Sequence, residues 1–143
     1  MEKYEEILEK LSILIKKIEE LTKFDNLSAD NARETRNIGK KIDNYIVLLI
    51  NTNEGVEKYK KWLLSNDISL KWNAALNLFP LYPKKCLEIM RECENITIDK
   101  LVKTSMNDVI REYNKGLNDN NAFIVRLKKN YSTNDLTLLN REE

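Results

Sequence analysis

Residues 67–83 read DISLKWNAALNLFPLYP. Asp67 is a good helix N-cap, because its carboxylate can accept hydrogen bonds from the first unpaired backbone N–H groups of a helix. Apolar side chains then occur on most sides of the predicted helix up to Phe79, which is typical of a helix covered by several neighbours. Pro80 and Pro83 mark a tight connection, and Pro83 suits a first helical position, where no backbone N–H is needed. This stretch therefore predicts one central helix, a short turn and the start of another helix.

Three more helices are predicted before this stretch. Apolar residues spaced three and four positions apart indicate amphipathic helices over 2–23, 28–50 and 54–65. Residues 51–53 end the second of these helices and cap the third. Gly39 costs about 1 kcal/mol in a helix interior, so we expect a break or kink there.

Two helices are predicted after the prolines. The first runs from Pro83 to about Glu94 and buries Cys86 or Leu87, together with Met90 and Cys93. The two cysteines, seven residues apart, would lie about 10 Å apart on a helix, beyond disulfide reach. We interpret them as small core residues.

A sixth helix is predicted over 98–115, with Gly116 as its left-handed stop. The fold class is therefore all-α, with about six helices in three antiparallel pairs. Residues 1–116 form a single helical-repeat domain that begins with an amphipathic helix over 1–23. Residues 117–143 form a partly ordered extension. Two similar hairpins, 54–79 and 83–115, favour a short α-solenoid, and an independent six-helix bundle is the alternative.

Composition narrows the function classes. The chain has 143 residues, 24 Lys and Arg against 23 Asp and Glu, and no histidine, so the commonest general base and metal ligand is missing. We find no glycine-rich phosphate loop and no recognisable catalytic spacing, and therefore expect no enzyme activity and no cofactor. The longest apolar run, residues 45–50, is far too short to cross a membrane, and no signal peptide is evident. We expect a cytoplasmic protein without a membrane partner.

Charge makes nucleic acid an unfavoured partner. The net charge is only +1, and five Lys-Lys pairs are interleaved with acidic residues, which is typical of solvated helix faces. A dedicated nucleic-acid binder usually shows a basic excess or stripe.

The Asp67–Leu78 segment resembles the second helix of a HEAT-like repeat. Such repeats typically show an acidic turn, then Val-Arg, two variable residues, Ala-Ala and a Leu. Here Leu70 stands where Val is usual, Lys71 replaces Arg, and the Ala-Ala pair is residues 74–75.

The similarity extends from about Asn26 to Gly116, where the order of elements resembles small bacterial HEAT-like domains of unknown function. The shared features are an Asn in the second helix (Asn44), the Ala-Ala helix, a helix that starts with proline and a final helix ending in glycine. Domains of this kind often occur beside bacterial polymorphic toxins and are thought to act as immunity proteins. The resemblance thus implies a protein that neutralises a cognate toxin by binding it.

The candidate partner-binding residues are Tyr59, Trp62, Lys71 and Trp72. The two tryptophans come from adjacent helices of one hairpin and could meet near its turn, flanked by Tyr59 and Lys71. Tryptophan and tyrosine dominate the energetics of protein interfaces. A packing pair in the core is the alternative interpretation.

Three functions follow from these patterns. The first is a non-enzymatic protein-binding module with a protein partner, such as a toxin domain. The second is a HEAT-like nucleic-acid-binding protein, as in the alkylpurine glycosylases of that fold, or an uncharacterised enzyme. The third is a structural homodimer formed through residues 4–21, whose apolar stripe spans three heptads.

Overall fold

The computed structural model describes residues 3–22, 29–79, 81–96 and 111. Within these residues the chain forms five α-helices and one 3-10 helix and contains no β-strand, so the all-α prediction is confirmed for this part of the chain. The elements are α1 (Lys3–Thr22), α2 (Ala29–Ile50), α3 (Asn53–Lys60), the 3-10 helix Lys61–Leu64, α4 (Ile68–Leu78) and α5 (Pro83–Ile96).

Two local expectations are corrected. α2 runs without interruption through Gly39, so the break expected there is absent. The third helix does not stay α-helical to residue 65: it ends at Lys60 and continues as the 3-10 helix, which the Ser65 N–H closes by donating to the Trp62 carbonyl (3.0 Å). Such i→i+3 bonds tighten the last turn of a helix before a short connection.

The predicted sixth helix and the extension over 117–143 lie outside the described residues, except for Arg111, which is helical and exposed.

The core runs through all five α-helices. α1 packs mainly on α2, α4 packs mainly on α5, and α4 also contacts α1, α3 and the 3-10 helix, as expected of a central helix. Both Cys86 and Leu87 are buried, and the two cysteines are free thiols in the core. The most deeply buried large side chains are Leu11, Leu49, Ile50, Val56, Tyr59, Leu78, Leu81 and Met90.

The start of α3 is fixed by a capping residue that also binds α1. Thr52 has an extended backbone, and its hydroxyl accepts from the Gly55 N–H (3.0 Å), which satisfies one unpaired donor of the helix. The same hydroxyl hydrogen-bonds the Tyr4 hydroxyl at 2.7 Å. The first turn of α1 is thereby tied to the corner between α2 and α3.

The start of α4 is fixed in a similar way. The Asp67 carboxylate accepts from the N–H groups of Ser69 (3.0 Å) and Leu70 (3.4 Å), which confirms the predicted N-cap. Its other oxygen forms an ion pair with Lys16 of α1 at 2.5 Å. Burial alone would raise the pKa of Asp67, but the Lys16 and backbone hydrogen bonds outweigh burial and lower it.

Asp67→Ala is expected to lower the free energy of unfolding by about 1–2 kcal/mol, because it removes the cap of α4 together with the partner of Lys16. Asp67→Asn keeps a capping oxygen, so we expect a loss within about 0.5 kcal/mol at neutral pH. Urea denaturation of the three proteins measures both effects. An alanine variant as stable as the parent would contradict the capping role.

The Asp67→Asn variant also predicts how the free energy of unfolding depends on pH. The folded pKa of Asp67 is lowered, so its carboxylate contributes fully to stability at neutral pH, and the contribution is lost as the pH falls through the folded pKa. The difference in the free energy of unfolding between the parent and Asp67→Asn is therefore expected to shrink as the pH falls. An advantage that stays constant down to strongly acidic pH would contradict this account.

Candidate interaction surface

The structure buries one of the four predicted contact residues and leaves the other three partly exposed. Tyr59 is fully buried, with 0% of its surface exposed, while Trp62, Lys71 and Trp72 are half-buried. Tyr59 is therefore not available to flank a surface anchor, and that expectation is corrected. Tyr59 lies between Val56 and Leu63 on the apolar stripe that α3 and the 3-10 helix share, so its ring packs in the core.

A polar network holds the Tyr59 hydroxyl inside the protein. The hydroxyl donates to Asn73 Oδ1 (2.5 Å), with the Asn73 carbonyl oxygen 3.1 Å away, and accepts from Asn77 Nδ2 (3.2 Å). Asn77 Nδ2 also donates to the Asn73 carbonyl at 2.9 Å. Burial raises the pKa of Tyr59 far above its ordinary value, so the phenol stays neutral and joins α3 to α4.

Both tryptophans are half-buried and pack against the core. Trp62 packs edge-to-face on Tyr59, with ring centroids 5.5 Å apart and an interplanar angle of 72°. At 100° per residue, Trp72 points away from the side of α4 on which Asn73 and Asn77 bind Tyr59. Trp72 packs on the edge of the core, which fits the packing interpretation better than a shared Trp–Trp anchor.

Lys71 is an internal tether between α4 and α5. Its Nζ lies 3.0 Å from Glu92 Oε1, and only 16% of its side-chain surface is exposed, against 57% for Glu92. The pKa of the neighbouring Cys93 thiol is raised by burial, an effect that the Lys71 charge partly offsets. The Lys71 side chain thus joins α4 to α5 and leaves little exposed charge for a partner to bind.

Lys71→Glu is expected to destabilise the fold by about 1 kcal/mol or more, because it places a carboxylate beside Glu92 at a mostly buried position. Lys71→Met, which keeps the aliphatic stem, is the matched neutral control and should cost less. Thermal denaturation measures both variants. A fully stable Lys71→Glu variant would instead identify Lys71 as a surface residue.

The most exposed large apolar side chain of the described residues is Leu64, at 79%. It lies in the 3-10 helix, where side chains three residues apart eclipse, so it shares an exposed edge with Lys61. Trp62, between them, is half-buried. We call residues 61–64 the 3-10 tip.

A second exposed apolar residue lies on α1. Ile13 is 60% exposed and comes one helical turn before Lys16, whose Nζ binds Asp67 just after the 3-10 tip. The Lys16–Asp67 ion pair thus joins this part of α1 to the connection that follows the 3-10 tip, although single exposed apolar residues are common on protein surfaces.

The sequence contains a signal for the exposure of Leu64. Val56, Tyr59 and Leu63 form the buried stripe of this hairpin arm, and Leu64 follows that stripe one position out of phase. An apolar residue outside the buried stripe is expected to be exposed.

Two negative findings apply to the described residues. No group of three or more His, Cys, Asp or Glu side chains there is arranged to hold a metal ion. None of the helices in residues 3–22, 29–79 and 81–96 combines the length and the apolarity needed to cross a bilayer.

Comparison with protein-family models, with curated proteins and with solved structures gives no match for this chain.

Proposed function

We propose that this chain is a non-enzymatic protein-binding module that contacts its partner through the 3-10 tip, residues 61–64. The observation that carries the proposal is the 79% exposure of Leu64 beside the half-buried Trp62. Tryptophan is a common anchor of protein interfaces, and the exposed leucine beside it adds apolar surface that a partner can cover.

Contacts on both sides hold the 3-10 tip in place, which supports a binding role. On one side Trp62 packs on the buried ring of Tyr59. On the other side the Asp67 N–H donates to Ser65 Oγ (3.0 Å), and Asp67 caps α4. A contact surface with fixed backbone loses little conformational entropy when it binds.

Pairing contacts support the finer proposal of stacked antiparallel hairpins. Lys17 lies 3.2 Å from Glu34, while Tyr4 lies beside Thr52, so α1 and α2 run in opposite directions. This arrangement is compatible with a HEAT-like solenoid and with a compact bundle. The solenoid, and a role as a cytoplasmic immunity protein for a bacterial toxin, rest on the resemblance of residues 67–78 to HEAT-like repeats.

The dimer alternative has no comparable support. Three residues of the apolar face of α1, namely Ile7, Leu11 and Ile15, are buried within the chain. A dimer formed through residues 4–21 would first have to detach α1 from its own domain.

Co-expression tests the proposed function. Candidate toxin domains encoded by the flanking genes are expressed with and without the chain, and growth is measured. We expect the chain to restore growth and to co-purify with the toxin domain. Unchanged toxicity without co-purification would contradict the immunity role.

Leu64→Asp is expected to abolish this growth rescue while changing the free energy of unfolding by no more than about 0.5 kcal/mol, because the side chain is almost fully exposed. Leu48→Asp is the matched control, since Leu48 is an exposed leucine (43%) on α2. Growth assays together with urea denaturation separate binding from stability. Equal rescue by both variants would exclude the 3-10 tip as the contact.

A further inference from the structure

Folding brings lysines from two of the five Lys-Lys pairs to one corner of the protein. The Lys60 Nζ lies 4.4 Å from the centroid of the Tyr82 ring. Tyr82 directly precedes Pro83, after which Lys84 and Lys85 begin α5. This contact places Lys60 and Lys61 in the neighbourhood of Lys84, which follows Tyr82 by two residues and lies 24 residues after Lys60 in the chain.

We call Lys60, Lys61 and Lys84 the basic corner. Lys61 and Lys84 are exposed. The first turn of α5 contains no acidic residue, so the positive end of its dipole adds to the same field. Among the described residues, the carboxylates nearest to these lysines in the sequence are Glu57, whose Oε1 lies 3.5 Å from the Tyr82 hydroxyl, and Glu88, one turn along α5. The three lysines outnumber these two carboxylates.

We infer that the basic corner binds an acidic surface of a protein partner. This inference rests on the proposed protein-binding function and adds the chemistry of the partner. The corner is continuous with the 3-10 tip, because Lys61 is shared and eclipses the exposed Leu64. An apolar anchor edged by lysines complements an apolar socket edged by aspartate and glutamate.

The overall charge of the chain favours an acidic protein over nucleic acid. The chain as a whole carries a net charge of +1, whereas duplex binding usually relies on an extended basic surface.

The test measures fluorescence anisotropy of a labelled poly-glutamate peptide titrated with the full chain at low and physiological ionic strength. We expect binding that weakens as salt rises and that becomes about tenfold weaker in Lys61→Glu/Lys84→Glu. Lys40→Glu/Lys41→Glu on α2 is the matched control, since both lysines are exposed and the total charge change is the same. The control should bind within about twofold of the parent.

Three outcomes would overturn the inference: no binding of the peptide at low salt, equal weakening in both double variants, or tighter binding of a 20-base-pair duplex that is lost in the same corner variant. None of these measurements needs the natural partner. A failed peptide test alongside preserved growth rescue would therefore remove the acidic chemistry but leave the protein-binding function in place.

Discussion

Gly55→Ala is expected to lower the free energy of unfolding by about 3 kcal/mol, because the added methyl group has no space. A Cβ at this position would lie 2.0 Å from the Leu49 carbonyl oxygen, 2.9 Å from the Leu49 carbonyl carbon and 3.1 Å from Cε1 of Tyr4. Two of these neighbours are backbone atoms at the end of α2, so relief requires that α3 and α2 move apart. That movement would also disturb the Thr52 cap, which accepts from the Gly55 N–H.

Gly39, in the interior of α2, provides the control. Nothing lies within 4 Å of a Cβ at Gly39, so Gly39→Ala is expected to stabilise the protein by about 0.5–1 kcal/mol through helix propensity alone. Urea denaturation of both variants measures the contrast. Similar stability changes in the two variants would contradict the close approach of α3 to the end of α2.

Tyr59→Ala has the other large expected effect, a loss of about 4 kcal/mol, since Tyr59 is the largest fully buried side chain of the described core. Tyr59→Phe isolates the hydroxyl. It removes a partner of Asn73 and Asn77 in a buried setting, and we expect a loss of about 1–3 kcal/mol. Calorimetric or urea unfolding measures both variants.

Tyr45→Ala on α2 serves as the comparison, because Tyr45 is only half-buried, and its loss should be clearly smaller. The Tyr59 variants also decide between a core role and a contact role. If Tyr59→Phe kept full stability but lost growth rescue, Tyr59 would be a partner contact after all.

Helix type and position could largely be predicted from the sequence. Three- and four-residue spacing places α1, α2, α4 and α5 close to their observed bounds, since an amphipathic stripe reports directly on which face is buried. The caps at Thr52 and Asp67 follow from short polar side chains just ahead of apolar runs. The expected break at Gly39 is wrong, because a propensity cost of about 1 kcal/mol is readily outweighed by packing along the rest of α2.

The contact residues were harder to predict, because side-chain partners across helices are not encoded by spacing. Nothing near Tyr59 in the chain indicates that Asn73 and Asn77 will bind its hydroxyl, although its position on the apolar stripe accounts for the burial of its ring. Lys71 likewise has its partner, Glu92, 21 residues away. The basic corner depends on the Lys60–Tyr82 contact, which only the packing of α3 near the start of α5 creates.

Hydrogen–deuterium exchange of the chain, free and bound to a partner captured by co-expression, tests the central claim most directly. We predict that binding slows exchange in peptides that cover residues 58–66 and 82–88, which hold the 3-10 tip and the basic corner, while residues 33–44 of α2 stay unchanged. Protection confined to α2, with residues 58–66 and 82–88 exchanging as in the free chain, would contradict the assignment of the binding surface.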